Sequence, residues 1–530
     1  MKNCDLIVRV LEKADVRWVF GVPSGPVLPL IESLRLSSIE FVLTASETSA
    51  GFMASTVGYL TENPGVCVST VGPGATNLTT GVGCAWLDRA PVLAFTCNVP
   101  TAWLERRIQM RIDHQALFKP ITKATFSLRD GVNQALEQAL TIAASEPPGP
   151  VHLDLPEDVA QANAVEAVTH RFQRRSLPDR SGDIVETLSA ALKKSRRPLV
   201  VTGLSFSRCK AADKLLQFIE HQRLPFVTTL HGKGFLPESH SNWAGVIGRA
   251  RRTDIKAFMD QADLIIAVGY DPIEMNYEEW AGENPVVHVS TEAADNGGSV
   301  AFVWNHACDV EMAVEAMAGL PAIANAWAAQ DLQNHRVSFD RALRPDSSKF
   351  AAHHVLDILR RKLAPDGILA YDVGAHTHQI ASQWRTDCPK TLLATNGWSS
   401  MGYGMPAAYA AKLAFPDREV VAVVGDGGFQ MTAGELSMAR RLRSAVPVIV
   451  LNDGWLGLMK VKQERKNYPL SGVYLGPPPQ SPAHYFGVPC RAAKTPEQFS
   501  QALQWAWELR EPSVIEAFID VEPYSQTVFD

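Results

Sequence analysis

Residues 419–428 have the sequence EVVAVVGDGG, and our prediction of the fold begins with them. Its apolar, β-branched part, residues 420–424, is typical of a buried parallel strand that ends at the glycines. Residues 432–435, TAGE, match a capping box and predict the start of a helix. Residues 447–451, PVIVL, predict the next strand. The region is therefore predicted to form a βαβ unit.

Polar residues follow both predicted strands where each one ends. Asp426 lies among glycines after the first strand, and Asn452 and Asp453 follow the second. Because the carboxyl ends of parallel strands meet at one edge of a sheet, we expect these side chains to lie side by side. Glycine N–H groups can approach phosphate oxygens, and Mg²⁺ prefers carboxylate, amide and carbonyl oxygens. A lone Gly-Asp-Gly is more often an ordinary turn, but this spacing predicts a metal-bridged diphosphate and hence an enzyme.

Further short motifs lie in collinear order along nearly the whole chain. They are residues 21–25 (GVPSG), Glu47, residues 72–78 (GPGATNL), 120–123 (PITK), 149–156 (GPVHLDLP), 372–374 (DVG) and 401–408 (MGYGMPAA). Together with the glycine motif, this series resembles the thiamine-diphosphate (ThDP) enzymes, and most closely the large subunit of acetolactate synthase. Each motif alone is weak, but their common order is specific.

Composition and charge agree with a large α/β enzyme. A chain of 530 residues is too long for one core, and 46% hydrophobic with 20% charged residues supports large buried sheets. The net charge of −6 argues against nucleic acid or an anionic membrane as a partner. The eight cysteines show no metal-binding spacing, and no apolar run reaches the ~18 residues of a membrane span. We therefore expect a cytoplasmic protein with reduced thiols.

Two polar stretches, residues 171–183 and about 330–348, predict linkers. They divide the chain into residues 1–170, 184–328 and 346–530. The resemblance implies that these are a ThDP pyrimidine-binding domain, a central Rossmann-like domain and a ThDP diphosphate-binding domain. Each alternates short apolar strands with amphipathic helices, so the predicted fold class is α/β with three doubly wound parallel-sheet domains.

The central part contains dinucleotide-type strands without the glycine pattern that holds a dinucleotide. Residues 198–203 and 264–269 predict strands, and neither is followed by a complete GxGxxG. Residues 269–274 (GYDPIE) resemble the catabolic acetolactate synthases, which do without FAD. The resemblance therefore implies a structural central domain and no flavin.

The resemblance assigns the main catalytic role to Glu47. In the family this glutamate stabilises a proton on the far ring nitrogen of the aminopyrimidine, so that the cofactor itself can take the thiazolium proton. The commoner role of a glutamate at such a place is a favourable charge at a helix N-terminus. Met401 matches the apolar wedge beneath the bent cofactor, although a methionine here is more often core filler. The Ser399 carbonyl is expected to receive the exocyclic amine.

The resemblance also implies contacts to the diphosphate and its metal. Further cofactor-binding residues are Pro73, Asn77, Gly374, His376, Gly425, Gly427, Gly428, Leu456, Gly457 and Leu458. The metal ligands would be Asp426, Asp453 and the carbonyl of Trp455, since the family's second ligand, counted back from a Leu-Gly pair, falls on Asp453. The alternative register, with Asn452 and the Gly454 carbonyl, stays open.

The sequence departs from the family on the substrate side. Acetolactate synthases carry a Gln some thirteen positions before the Lys of the PITK stretch, and this position is Met110, with Gln109 beside it. We expect Met110 to favour an apolar substrate group, unless Gln109 takes over the amide role through a small shift of the loop. The pair His353-His354 falls in an amphipathic helix pattern, where we expect a structural role.

The resemblance implies a ThDP- and Mg²⁺-dependent decarboxylation of a 2-oxo acid, followed by carboligation to an acceptor carbonyl. A non-oxidative 2-oxo acid decarboxylase or aldehyde lyase is the alternative, and a catalytically silent regulatory homologue is a third. In this family Glu47 and Asp426 cannot meet around one cofactor within a chain. The resemblance therefore implies a homodimer or homotetramer with shared active sites.

Overall fold

The computed structural model describes residues 1–168, 176–275, 280–295, 300–476 and 481–528. These residues fold into three α/β units, each built on one mainly parallel sheet, as the sequence predicted. Residues 171–175 of the first predicted linker lie outside the described residues. No helix in the described ranges is both long and apolar enough to cross a bilayer.

The first sheet is formed by residues 18–156. Its described strands are β1 (Trp18–Gly21), β2 (Glu40–Leu43), β3 (Gly65–Ser69), β4 (Val92–Asn98), β5 (Ala124–Ser127) and β6 (Pro150–Pro156). They are parallel, in the order β2-β1-β3-β4-β6-β5. The accompanying helices are α1 (Asn3–Lys13), α2 (Leu28–Arg35), α3 (Glu47–Thr61), α4 (Pro73–Leu87), α5 (His114–Phe118), α6 (Val132–Ala144) and α7 (Glu157–Gln161).

The second sheet is also parallel and has its own apolar core. Within the described residues its strands are β7 (Pro198–Thr202), β8 (Phe226–Thr228), β9 (Trp243–Val246), β10 (Leu264–Val268), β11 (Pro285–Ser290) and β12 (Ala301–Ala307). Their order is β12-β11-β10-β7-β8-β9. Its helices are α8 (Ser181–Lys194), α9 (Ala212–Gln222), α10 (Arg252–Met259) and α11 (Val310–Ala318).

The third sheet holds the glycine motif that opened the sequence analysis. Its described strands are β13 (Ile368–Tyr371), β14 (Leu392–Leu393), β15 (Val420–Gly425), β16 (Pro447–Asn452), β17 (His484–Tyr485), β18 (Val488–Ala493) and β19 (Ser513–Phe518). The order is β14-β13-β15-β16-β19-β18-β17, and the β17–β18 pair alone among them is antiparallel. The predicted strands β15 and β16 are adjacent, so their carboxyl ends share one edge.

The remaining helices belong to the third domain or lead into it. They are α12 (Ala329–Ala342), α13 (Ala352–Lys362), α14 (Ala375–Gln383), α15 (Gly404–Ala414), α16 (Asp426–Thr432), α17 (Glu435–Arg441), α18 (Gly457–Arg465), α19 (Pro496–Leu509) and α20 (Tyr524–Thr527). His353 and His354 lie in α13, as predicted.

Helix α12 occupies most of the stretch that the sequence predicted as a second linker, so much of this connection between the second and third domains is helical. Leu332 and Phe339 of this helix pack into the core of the second domain. Its polar residues form the opposite, exposed face. An amphipathic helix with few apolar anchors therefore has the composition of a linker.

The helix after the glycines begins earlier than the capping box predicted. Helix α16 starts at Asp426 and ends at Thr432, and α17 follows from Glu435 without a side-chain cap. The Glu435 carboxylate instead accepts the backbone N–H of Ala45, at 3.0 Å, from the first domain. A contact between domains has thus replaced the local capping bond that the sequence predicted.

The first and third domains share one apolar core within the chain. Helix α3 packs on α15, where the rings of Phe52 and Tyr403 meet edge to face with centroids 5.6 Å apart. Helices α3 and α4 approach closely at two glycines. A Cβ on Gly81 would lie 2.5 Å from Cα of Gly51, so neither position accepts a side chain without a shift of the helices.

We therefore expect Gly81→Ala to destabilise the protein by roughly 1–3 kcal/mol through overpacking, although alanine is the better helix former. Gly182→Ala in α8 is the matched control, because nothing lies within 4 Å of its added Cβ. Thermal unfolding should show a lower midpoint for the first variant alone. Equal midpoints for both variants would show that the helix crossing can relax freely.

Candidate active site

A cavity of about 250 Å³ opens at the carboxyl edge of the third sheet, where ligands of parallel α/β folds bind. The structure brings together there most of the residues that the sequence predicted to bind cofactor and metal. They are Gly374, His376, Ser399, Met401, Gly425, Asp426, Gly427, Gly428, Asp453, Trp455, Leu456, Gly457 and Leu458. The βαβ unit that the glycine motif predicted therefore lies at the centre of a site formed by strand ends and loops.

The two glycines of the turn, Gly427 and Gly428, are closely packed. A Cβ on Gly428 would lie 1.9 Å from a carboxylate oxygen of Asp372. A Cβ on Gly427 would lie 2.9 Å from Leu456 and 3.0 Å from the methyl carbon of Met401. A side chain at Gly428 would collide with Asp372, and one at Gly427 would displace Leu456 or Met401. Without side chains, the backbone at the start of α16 can come close to a ligand in the cavity.

Two carboxylates lie together in this cavity. Asp426 accepts the backbone N–H groups of Gly427 and Gly454, both at 2.8 Å, and Asp453 accepts that of Trp455 at 2.9 Å. Burial raises the pKa of Asp426. Burial and the negative charge of Asp426 raise the pKa of Asp453 to about 8. The pair is therefore suited to a divalent cation, whose charge would favour both ionised forms.

A buried aspartate that the sequence analysis gave no role fixes the segment beneath the cavity. The Asp372 carboxylate accepts the backbone N–H of Gly402 at 2.8 Å and that of Tyr403 at 3.2 Å. Burial raises the pKa of Asp372 to about 6, against the lowering effect of these N–H donors. These bonds hold the turn at Ser399 and Gly402, both of which have positive φ, and so place Met401 in the cavity wall. The DVG motif at residues 372–374 was the one signal in the sequence that pointed to this aspartate.

His376 and Tyr524 close the cavity on other sides. The His376 ring is buried against Gly374 and Gly425, and burial lowers its pKa to about 4, so the imidazole is neutral. Its Nε2 atom has no hydrogen-bond partner among the described residues. Tyr524 comes from α20, close to the end of the chain, and no motif in the sequence pointed to it.

The predicted residues of the first domain form a separate group. Glu47 is buried at the start of α3 and accepts a hydrogen bond from the Asn77 side chain at 3.2 Å, while Pro73 opens α4. Gln109 and Met110 are exposed in the loop before α5, and Met110 has a φ of 65°. None of the five is among the described residues that line the cavity.

Comparisons with known proteins identify the family. Residues 1–117 match the family model of the thiamine pyrophosphate enzyme N-terminal TPP-binding domain, residues 185–317 that of the central domain and residues 372–517 that of the C-terminal TPP-binding domain. The chain belongs to the thiamine pyrophosphate enzyme family. Thiamine pyrophosphate is another name for ThDP, so the expected family, fold and enzymatic nature are confirmed.

Individual relatives cover almost the whole chain. A probable acetolactate synthase large subunit from Methanocaldococcus jannaschii is 30% identical, over 98% of this chain and 92% of its own length. An acetolactate synthase from Bacillus subtilis is 28% identical, over 98% and 93%. One from Mycobacterium bovis is 31% identical, over 87% and 77%.

The cavity fits the diphosphate end of the family's cofactor. Backbone without side chains faces it at Gly427 and Gly428, and the buried Nε2 of His376 can bond a phosphate oxygen. Among the described residues, no group of three or more His, Cys, Asp and Glu side chains could hold a metal ion. A cation at the carboxylate pair would therefore complete its shell with carbonyl, water and diphosphate oxygens.

The surroundings of the two candidate metal registers differ. Asp453 lines the cavity, whereas Asn452 is not among the described lining residues and ends β16 paired with Phe518. The Gly454 carbonyl, which the alternative register needs, already accepts the N–H of Leu475 at 2.8 Å. These contacts favour the register with Asp453 and the Trp455 carbonyl.

We expect Asp453→Ala to weaken Mg²⁺-dependent ThDP binding by about 10- to 100-fold, because it removes a charged ligand. Asn452→Ala, one residue earlier, is the control and should change affinity by less than about threefold if it makes no metal contact. Titration calorimetry at fixed Mg²⁺ measures both. A larger loss for Asn452→Ala would establish the other register.

Proposed function

We propose that this chain is a Mg²⁺-dependent, acetolactate synthase-like carboligase. It would decarboxylate a 2-oxo acid and join the remaining carbon unit to an acceptor carbonyl. The observation that carries this proposal is the carboxylate pair of Asp426 and Asp453, which lines one cavity with the glycine turn and Met401. The names of the relatives support the reaction class. When bound, ThDP supplies a thiazolium carbon that accepts the electron pair released as carbon dioxide leaves.

The third domain would hold the diphosphate and shape the cofactor. Asp426, Asp453 and the Trp455 carbonyl would bind the cation, and backbone N–H groups of the glycine turn would bind phosphate oxygens. His376 is neutral and adds a hydrogen bond without another charge. Met401 is held in the cavity wall by the turn that Asp372 fixes, where an apolar side chain can bend the cofactor.

Glu47 would act at the other end of the cofactor. It is buried and its carboxylate accepts one hydrogen bond from Asn77, so it is oriented to hold a proton on the aminopyrimidine ring. Because Glu47 does not line the described cavity of its own chain, we propose that it serves the cofactor of a partner subunit. The active protein would be a homodimer or a homotetramer.

A second candidate function is non-oxidative decarboxylation or aldehyde lysis, and Met110 favours it. This exposed thioether stands where the synthases carry an amide, and the neighbouring Gln109 is also exposed. Product analysis with and without an added aldehyde separates the two functions. A silent homologue is less well supported, since Glu47, Asp426 and Met401 are all retained. The incomplete glycine motifs of the central domain support catalysis without FAD.

Glu47→Gln should bind ThDP normally but slow proton exchange at the thiazolium carbon by about 100-fold or more, because the amide cannot hold the ring proton. The exchange is followed by NMR in deuterated water. Glu40→Gln, on the exposed face of the same domain, should exchange at the parent rate. Parent-like exchange in Glu47→Gln would remove this residue from the catalytic role.

Mixing two inactive variants tests the shared site. Glu47→Gln and Asp426→Ala subunits, mixed equally and allowed to exchange, should recover about one quarter of the parent activity, because half of the dimers then contain one intact site. Native mass spectrometry verifies the exchange. Absence of recovery in verified mixed dimers would mean that each chain builds its own site.

A further inference from the structure

Residues 396–402 form the turn that places Ser399 and Met401 in the wall of the cofactor cavity, and we call it the Ser399 turn. Ser399 has a φ of 51°, a conformation that residues with a side chain rarely adopt, so surrounding contacts must hold it. The Asp372 carboxylate holds one end of the turn through the backbone N–H of Gly402. The position of the Ser399 carbonyl therefore also depends on what holds the other end.

Asp88 of the first domain binds that other end. This buried aspartate directly follows the last residue of α4. One oxygen of its carboxylate accepts the backbone N–H of Asn396 at 3.0 Å and that of Gly397 at 2.7 Å. The backbone carbonyl of Asn396 in turn accepts the hydroxyl of Ser399. A continuous series of hydrogen bonds therefore connects Asp88 with the residue that lines the cavity.

Close packing against α4 also holds this end of the Ser399 turn. A Cβ on Gly397 would lie 2.6 Å from the Cβ of Leu87 in α4, and 2.6 Å from a methyl carbon of Ile273 in the central domain. The Trp398 ring packs on Gly83 of α4, where an added Cβ would lie 2.6 Å from a ring carbon. The start of the turn is therefore in contact with the end of α4 through both side chains and backbone.

The Asp88 carboxylate is itself held by the central domain. Nε2 of His231 lies 3.5 Å from the oxygen that binds the turn, and both side chains are almost fully buried. Burial alone would raise the pKa of Asp88, but the contact with His231 and further hydrogen bonds lower it overall. The pKa of His231 is lowered by burial but raised overall by Asp88. The two groups therefore form an ion pair, and a charged carboxylate accepts the stronger hydrogen bonds from the turn.

We propose that Asp88 is a positioning residue that orients the Ser399 carbonyl toward the aminopyrimidine of the cofactor. The proposal rests on the proposed function, in which this carbonyl receives the exocyclic amine. Asp88 is not among the described residues that line the cavity, so it acts through the turn. A misplacement of about 1 Å can slow a reaction about 100-fold, because the reacting groups must meet in the right geometry. Asp88 and Asp372 thus fix the turn at its two ends.

Helix α4 offers an alternative route for an effect of Asp88. The Asn77 side chain, near the start of α4, donates to Glu47, which we propose serves the partner's cofactor. Along this helix Asp88 would act on the partner's site. The direct bonds to Asn396 and Gly397 favour action on the site of its own chain. The two routes predict opposite results when variants are mixed.

The first test compares Asp88→Ala with the parent protein. Because the variant loses the acceptor of two N–H groups, deuterium exchange in peptides covering residues 396–402 of the cofactor-free protein should become at least about tenfold faster. In the protein saturated with ThDP and Mg²⁺, exchange of the thiazolium proton, followed by NMR, should slow by about 10- to 100-fold. Asp88→Asn keeps one acceptor oxygen, and His231→Gln removes the charged partner. Each should slow thiazolium exchange by about 2- to 10-fold, which keeps the test decisive should Asp88→Ala not fold.

Asp263→Ala is the matched control, because Asp263 also accepts two consecutive backbone N–H groups, those of Arg196 and Arg197. It belongs to the central domain, is not among the described residues that line the cavity, and should leave thiazolium exchange unchanged. Parent-like thiazolium exchange in the folded, ThDP-saturated Asp88 variants, or equal slowing by Asp263→Ala, would overturn the inference while the proposed function stands. If the parent binds ThDP without accelerating this exchange, the proposed function fails and the inference with it.

Mixed subunits identify the cofactor on which Asp88 acts. An equal mixture of Asp88→Ala and Glu47→Gln subunits should recover about one quarter of the parent activity, because half of the dimers contain one site with both residues intact. A mixture of Asp88→Ala and Asp426→Ala subunits should stay at the residual activity of Asp88→Ala, since every site then keeps one defect. The reverse pattern would show that Asp88 acts through Glu47 on the partner's cofactor, and would overturn the inference.

Discussion

The carboxylates of Asp426 and Asp453 lie together where neighbouring strands of the third sheet end, and this arrangement is suited to a cation. The charge of Asp426, added to burial, raises the pKa of Asp453 to about 8, so the pair resists full ionisation at neutral pH. A divalent ion would reverse this, because it favours both charged forms. The parallel pairing of β15 and β16 brings the two residues together. We infer that the fold around them positions the two carboxylates beside the diphosphate.

Further contacts connect this site with other segments of the chain. Asp372 fixes the turn that carries Met401, and its carboxylate leaves no room for a side chain on Gly428. Directly after the helix that follows the glycines, Glu435 binds the backbone N–H of Ala45, in the segment before Glu47. Within one chain, this bond therefore connects the region that would hold the chain's own cofactor with the segment before Glu47. We propose that this glutamate serves the cofactor of the partner subunit.

Local patterns made much of this predictable. The β-branched run before Gly425 and the matching run before Asn452 predicted two strands, and their common edge follows from parallel topology. The contacts that the sequence did not reveal join distant segments. The capping box predicted at Thr432 is a local pattern, but Glu435 instead accepts the backbone N–H of Ala45 from the first domain. The role of Asp372 depends on backbone N–H groups at Gly402, which lie beyond one helix and one strand in the sequence. Tyr524 lies at the cavity because the last helix of the chain folds back onto the third domain.

We propose that Asp426 and Asp453 hold a metal ion that binds the diphosphate. Anomalous diffraction from crystals grown with ThDP and Mn²⁺ in place of Mg²⁺ locates that metal directly. We expect a single strong peak within coordination distance of both carboxylates and the Trp455 carbonyl, with water and diphosphate oxygens completing the shell. A peak beside Asn452 that leaves Asp453 uncoordinated, or ThDP bound with no metal between these carboxylates, would contradict it.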